Sequence, residues 1–213
     1  MRNLKTVFIL IVVLLCTQVV VAQIAKPTFI IKGGVSSASL IMEGNNHTQS
    51  NIANNRLGFN LGLALEFPIS QIMNLETGFF LARKGMKKDE NKLELKLSPL
   101  YFEFPFNLKL IKSLGDKSFY ATAGVYLGYG VAGKKEITDK TGTSLSQHIA
   151  WGSGKEDDMV ALDLGGGLGI GYIFGKVEAG FYGSTSFTNI SPVISEGQNM
   201  RNVVLGLMVG YRL

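Results

Sequence analysis

The sequence predicts an all-β fold, an eight-stranded antiparallel up-and-down transmembrane β-barrel preceded by a cleavable signal peptide. Three observations predict it. Side chains alternate with period two, the alternating runs are long, and the connections between them alternate between short and long.

The alternation is clearest in the second half. Leu162, Leu164, Leu168, Ile170 and Tyr172 interleave with Asp163, Gly165, Gly167, Gly169 and Gly171. The end of the chain repeats the pattern, with Val203, Leu205, Leu207, Val209, Tyr211 and Leu213 set against Asn202, Gly206, Met208, Gly210 and Arg212. Such spacing puts one class of side chain on each face of a strand and is incompatible with a helix. Along the chain the same rule marks strands at 28–40, 56–67, 73–85, 97–111, 118–132, 158–173, 176–187 and 200–213. An ordinary globular strand has about 5–6 residues, whereas a tilted strand crossing a bilayer needs about 9–11.

The connections sort by length. Pro68 to Ile72, Lys112 to Lys117 and Phe174-Gly175 are tight turns. Ile41 to Asn55, Met86 to Lys96, Gly133 to Asp157 and Thr188 to Asn199 are longer and polar, as loops. An up-and-down barrel gathers the short turns at its periplasmic rim and the long loops outside. Closure is required because an open strand edge in lipid leaves backbone groups unpaired, at several kcal/mol each. Eight strands enclose a lumen that side chains can fill, so no wide pore is expected.

The first residues read as an export signal. Arg2 and Lys5 form the basic start, Val7 to Leu15 the apolar core, and Val20-Val21-Ala22 precedes a cut ahead of Gln23, giving a signal peptide at 1–22 and a barrel domain at 23–213. Beyond it no apolar run approaches the length of a membrane helix. The single cysteine, Cys16, falls inside the signal, and Leu15 is too bulky for a lipoprotein cleavage motif, so no disulfide or thiolate site is expected in the mature chain. Removing Arg2 and Lys5 takes the 21 basic residues to 19 against 16 acidic ones, too small an excess to argue for nucleic acid.

Parity assigns the faces. Leu57, Phe59, Leu61, Leu63, Leu65 and Phe67, and Leu100, Phe102, Phe104, Phe106, Leu108 and Leu110, point to lipid. Phe67, Phe119, Tyr172 and Tyr211 share that side near the short turns, where a periplasmic aromatic girdle belongs. On the inner parity stand Asn60, Glu66, Glu76, Lys84, Tyr101, Glu103, Asn107, Lys109, Tyr120, Tyr126, Asp163, Lys176, Glu178, Tyr182 and Arg212. Buried charges are tolerable only when paired. A lumenal polar network is therefore expected from Glu66, Glu76, Glu103, Lys109, Asp163, Lys176, Glu178 and Arg212, with Glu103, Lys109, Glu178 and Arg212 in one cluster. Glycines such as Gly124, Gly128 and Gly167 make room for them. Pro105 cannot donate to a ladder, which predicts a bulge or a missing bond in the fourth strand.

That strand carries a family likeness. Tyr101-Phe102-Glu103-Phe104-Pro105-Phe106-Asn107-Leu108-Lys109 resembles a Tyr-aliphatic-Glu-aliphatic-Pro strand of the PorT-like outer-membrane β-barrel proteins. Leu57 to Gly62, Arg83-Lys84-Gly85, Ala123 to Gly128 and Val209 to Leu213 are similar to the family's other strands. The resemblance implies a barrel whose family includes a branch tied to protein secretion, and it carries over no catalytic residue. Tyr211-x-Leu213 also resembles the terminal signal read by the barrel-assembly machinery, which usually ends in Phe.

No chemistry is legible. Gly165 to Gly171 does not match a dinucleotide fingerprint and opens no helix. His47 and His148 lie in long loops without partners at a hydrolase or zinc spacing. Glu156-Asp157-Asp158 reads as a solvated acidic cluster, and Arg83, Lys84, Lys87 and Lys88 as a basic group placed to meet lipopolysaccharide phosphates or to solubilise a loop. The expectation is a non-enzymatic protein with no cofactor and no metal, working in envelope structure or docking through long extracellular loops, above all Gly133 to Asp157. The alternative is an accessory of transport or secretion. Its expected partners are outer-membrane lipid and lipopolysaccharide, the barrel-assembly machinery and envelope proteins.

Overall fold

The structure is a computed structural model that describes residues 26–44, 47–49, 55–90, 93–139, 141–154, 156–192 and 199–213. Residues 1–22, expected to be a signal peptide, lie outside them. Among the described residues there are eleven strands: β1 (Thr28–Gly44), β2 (His47–Gln49), β3 (Arg56–Pro68), β4 (Met73–Arg83), β5 (Met86–Glu90), β6 (Leu93–Leu114), β7 (Lys117–Asp139), β8 (Ser144–His148), β9 (Leu162–Phe174), β10 (Val177–Ser186) and β11 (Asn199–Arg212).

Eight of these form a ring in which every neighbour is antiparallel: β1, β3, β4, β6, β7, β9, β10 and β11, which returns to β1. The ring closes because β1 pairs on one side with β3 and on the other with β11, where Ile30 stands opposite Arg212 and Glu43 opposite Asn199. No membrane-facing edge is left, which meets the backbone requirement of a lipid setting. No helix among the described residues is long and apolar enough to cross a membrane. Three tight connections share one rim. Two of them, Gly115-Asp116 and Gly175-Lys176, are two-residue turns whose glycines take left-handed backbone, at φ 65° and 59°.

The outer face is apolar in a way water would not permit. Leu57, Leu168 and Leu205 are 78%, 70% and 65% exposed, and Phe59, Leu61, Leu63, Phe102, Phe106, Leu108, Leu207 and Val209 continue the belt around the ring. A continuous apolar surface of this kind belongs in hydrocarbon.

The elements differ from the sequence expectation mainly at the loop end. Met86 to Lys96 and Gly133 to Asp157 are not simple loops. β5 pairs with the start of β6, β7 runs 23 residues to Asp139, and β8 returns along it, so a four-stranded sheet projects past the bilayer. Twenty-two residues in β6 and 23 in β7 are about twice the length a bilayer takes. β9 begins at Leu162 rather than 158, because the preceding residues leave the wall and turn into the barrel mouth. At Pro105 the register does not shift. Pairing with β4 lapses over Phe104 and Pro105, while Pro105 stays opposite Tyr126 of β7. The register shift falls instead at Leu100/Tyr101, after Pro99, and Val131 is the extra residue on β7.

Candidate functional site

Residues of the inner parity meet along the barrel axis in two charged layers, with an apolar cap above them. The layer nearer the short turns is centred on Lys109, fully buried, whose Nζ donates to Glu66 at 2.8 Å, Glu76 at 3.1 Å and Glu178 at 2.8 Å. Lys32 donates to Glu76 at 2.7 Å and Glu178 at 2.8 Å. Arg212 clasps Glu66 through Nη2 at 2.7 Å and Nη1 at 2.9 Å, and its Nη1 also reaches Glu178 at 2.9 Å. Asn74 Nδ2 adds a bond to Glu66 at 2.6 Å. Register explains the arrangement. Glu66 stands directly opposite Glu76 across β3 and β4, a repulsive pair that Lys109 bridges from β6. Three cations thus balance three carboxylates.

The second layer is built on Lys84, also buried. It pairs with Glu103 at 2.5 Å and Asp163 at 3.0 Å, and its ammonium lies 4.3 Å from the ring centroid of Tyr126 and 5.1 Å from that of Tyr101. Asn202 Nδ2 donates to Asp163 at 2.9 Å and Tyr126 Oη donates to the same carboxylate at 3.3 Å. These neutral donors support the layer's surplus of one carboxylate. Between the layers lies a cavity of about 130 Å³ whose walls mix polar and apolar groups: Asn60, Asn107, Thr122, Tyr182 and Ser184 with Lys32, Glu76 and Glu103, and also Phe80, Val125 and Phe181.

Above the second layer the mouth is closed. Leu40, Met86, Leu97, Ile149, Met159, Ile190 and Met200 form one buried apolar cluster, with Met42, Leu95 and Trp151 packed against it. Backbone bonds tether the loops that supply it: Ile149 N to Gly133 O at 3.1 Å, Val160 N to Ile190 O at 2.9 Å, and Ile190 N to Met200 O at 2.9 Å. Trp151 meets Tyr101 edge-on, centroids 5.5 Å apart, and its ring lies where a side chain at residue 130 would stand, so only Gly130 fits. Outside the bilayer Asp158 braces the tucked loop. Partial burial pushes its carboxyl up, yet Lys135 Nζ at 2.7 Å and Ala150 N at 3.0 Å hold it below the usual range.

Of the expected network, Glu66, Glu76, Lys109, Glu178 and Arg212 come together in the lower layer, and Asp163 and Glu103 in the upper. Two expectations need correcting. Glu103 does not share a cluster with Lys109, since it lies higher along the axis beside Lys84. Lys176 is not lumenal. It sits exposed in the turn between β9 and β10, its Nζ 5.9 Å from the Tyr211 ring centroid. Lys32 was missed, although its parity with the buried Ile30 and Ser36 marks it as inward. Among the described residues no group of His, Cys, Asp and Glu is arranged to hold a metal. His148 is exposed on β8 with no acid-base partner among the described residues, and the side chain of His47 lies outside them.

The sequence matches the family described as "Outer membrane protein beta-barrel domain" over residues 25–195. No curated protein matches it. Among solved structures, Ail of Yersinia pestis, in complex with the heparin analogue sucrose octasulfate, shares 16% identity at a TM-score of 0.45, covering 89% of this chain and 100% of that one. Neisserial surface protein A shares 9% at 0.43, with the same coverage, and OprG of Pseudomonas aeruginosa 15% at 0.40, covering 87% of this chain and 95% of that one.

Proposed function

This chain belongs to the outer-membrane protein β-barrel domain family and is an outer-membrane protein, and from that premise we propose that it is a non-enzymatic, non-conducting barrel that acts through its loop end. Its task is envelope structure or the docking of a ligand or partner. The long-loop end faces outward and the short turns face the periplasm. The observation that carries this reading is the doubly blocked lumen. Two salt-bridged layers and an apolar cap occupy the axis, while the β5 to β8 sheet rises past the bilayer with β8 wholly exposed. A lumen filled in this way leaves no continuous aqueous path. The Tyr101 to Lys109 strand supports a finer placement among PorT-like proteins, and the closed antiparallel barrel supports the barrel-assembly machinery as the partner during insertion.

The test is planar-bilayer recording of the refolded protein, combined with deletion of the gene. No stable current is expected, and deletion should alter envelope integrity or surface binding while secretion continues. Discrete conductance steps would overturn the filled lumen. Silent bilayers together with a loss of secreted proteins would move the reading to a secretion accessory.

A further inference from the structure

On the outer wall, where the barrel leaves the hydrocarbon belt, a cleft of about 420 Å³ is lined by Arg56, Leu57, Arg83, Lys87, Lys96 and Glu136. Register puts Leu57, Arg83, Lys87, Lys96 and Glu136 on the outer face, while Arg56, opposite the buried Ala38, reaches the cleft from the end of β3. Arg83 stands opposite Phe59 on β3 and Leu100 on β6, both outward. Lys87 is opposite Lys96, and Lys96 opposite Glu136, so three side chains stand in a row across β5, β6 and β7. Lys84, which the sequence groups with this basic set, turns inward to Asp163 instead.

The charges of the cleft are unequally satisfied. Glu94 takes both lysines, bonding Lys87 at 2.5 Å and also Lys96. Among the described residues the two guanidiniums have no such partner. Arg56 Nη1 is buried without a hydrogen bond, and Arg83 repels it, with only a partial offset from Glu136 and Glu94. Two adjacent guanidiniums with donors to spare match the oxygen geometry of a phosphate, which each can clasp with two parallel bonds. On its barrel side the cleft meets the apolar wall at a single residue. Leu57 lines it at 78% exposure, and Phe59, Leu61 and Phe102 continue downward along the lipid-facing wall. A soluble anion would leave that apolar strip uncovered, whereas an amphiphile with a phosphorylated head and acyl chains would cover both parts.

We propose that Arg56 and Arg83, assisted by Lys87 and Lys96, bind a phosphate of an outer-leaflet glycolipid whose acyl chains run down over Leu57 and Phe59. The proposal rests on the outward orientation of the loop end. Surface biotinylation of intact cells tests that orientation separately: labelling of Lys134 or Lys112 from outside reports which end is exposed, and access to Lys112 alone would reject the orientation before the cleft is considered.

The cleft itself is tested on the full mature chain refolded in detergent, by native mass spectrometry with bisphosphorylated lipid A, its dephosphorylated form and inorganic phosphate as probes. The wild type should retain the bisphosphorylated lipid and release the dephosphorylated one. Arg83→Gln should weaken retention about tenfold, and Arg56→Gln with Arg83→Gln further, as charge-assisted bonds are lost. Arg83→Lys should keep part of it, and Lys176→Gln, at the opposite rim, should change nothing. Heat-modifiable mobility confirms that each variant is folded, and if the double variant fails to fold, Lys96→Gln in the projecting sheet takes its place with a smaller loss. Equal retention by wild type and variants, or equal retention of both lipids, would overturn the proposal. Displacement by inorganic phosphate at matched concentration would overturn the lipid assignment in favour of a soluble anion.

Discussion

The two ends of the lumen close it with opposite chemistry. Toward the short turns, Lys32, Lys109 and Arg212 neutralise Glu66, Glu76 and Glu178 inside the wall. Toward the loops, Leu40, Met86, Ile149, Met159 and Ile190 exclude water with no charge at all. The difference follows from where the residues come from. Wall residues are aimed by register, so a charge can rely on its partner arriving at a fixed distance once the barrel closes. The cap adds Ile149, Met159 and Ile190 from loops, which have no register to aim them, to strand residues such as Leu40 and Met86, and apolar contact, being non-directional, tolerates that freedom. A charged cap on loops would risk stranding a buried ion each time a loop moved, at a cost of several kcal/mol.

Substitution at the centre of the lower layer should have the largest effect. Lys109→Met leaves three carboxylates facing two cations and should cost about 3–5 kcal/mol, read as a lowered urea midpoint for unfolding from lipid vesicles. A loss below about 1 kcal/mol would mean that the layer is not held by its ion pairs, and the contrast between the ends would fail. Next comes the cap. Met159→Ala should cost about 2–5 kcal/mol, but locally: amide exchange should rise over residues 149–161 while the barrel keeps its heat-modifiable mobility. Trp151, the single tryptophan, should shift its emission to the red in the same variant. Faster exchange throughout the wall would show instead that cap and barrel open together.

The projecting sheet gives a smaller, pH-dependent signal. Glu94 lies outside the bilayer, and hydrogen bonds from Lys87 and Lys96 hold its carboxyl down at about 2. An ordinary glutamate titrates near about 4.3. Because the folded value is the lower one, the support it gives is complete above the ordinary value and is lost as pH falls toward about 2. Amide protection factors in β5 and the start of β6, which remove the intrinsic pH dependence of exchange, should therefore fall over that window and stay flat from pH 5 upward. Least of all should Lys176→Ala matter, within about 0.5 kcal/mol of wild type by urea midpoint, since its side chain is exposed in a turn. A larger loss there would return Lys176 to the lumenal network.

Lys176 also shows how far the sequence could be read. Parity is a property of residues inside a ladder, and Lys176 lies in the two-residue turn between Phe174 and Val177, where the alternation has no force. Glu103 shows a second limit. Its inward direction was legible, but its height was not, because strands in a barrel are tilted and staggered, and sequence distance along one strand does not report level on the next. Pro105 was legible as a break in a ladder, though it proved to be a lapse on the β4 side without a shift of register. The cap was hidden because Ile149, Trp151 and Met159 sit in a stretch rich in Gly, Ser and charge, with no period to mark them as core.

By itself, then, the sequence determined the eight strands of the barrel wall, their apolar and polar faces and the closed barrel they imply, because period-two alternation is local and survives in a linear reading. Tertiary structure alone decided which cation meets which carboxylate, that Lys84 turns inward while Arg83 faces out beside Arg56, and that the long loops fold into the mouth. Those outcomes depend on stagger around the ring and on contacts between segments distant in the chain, and no local pattern encodes either.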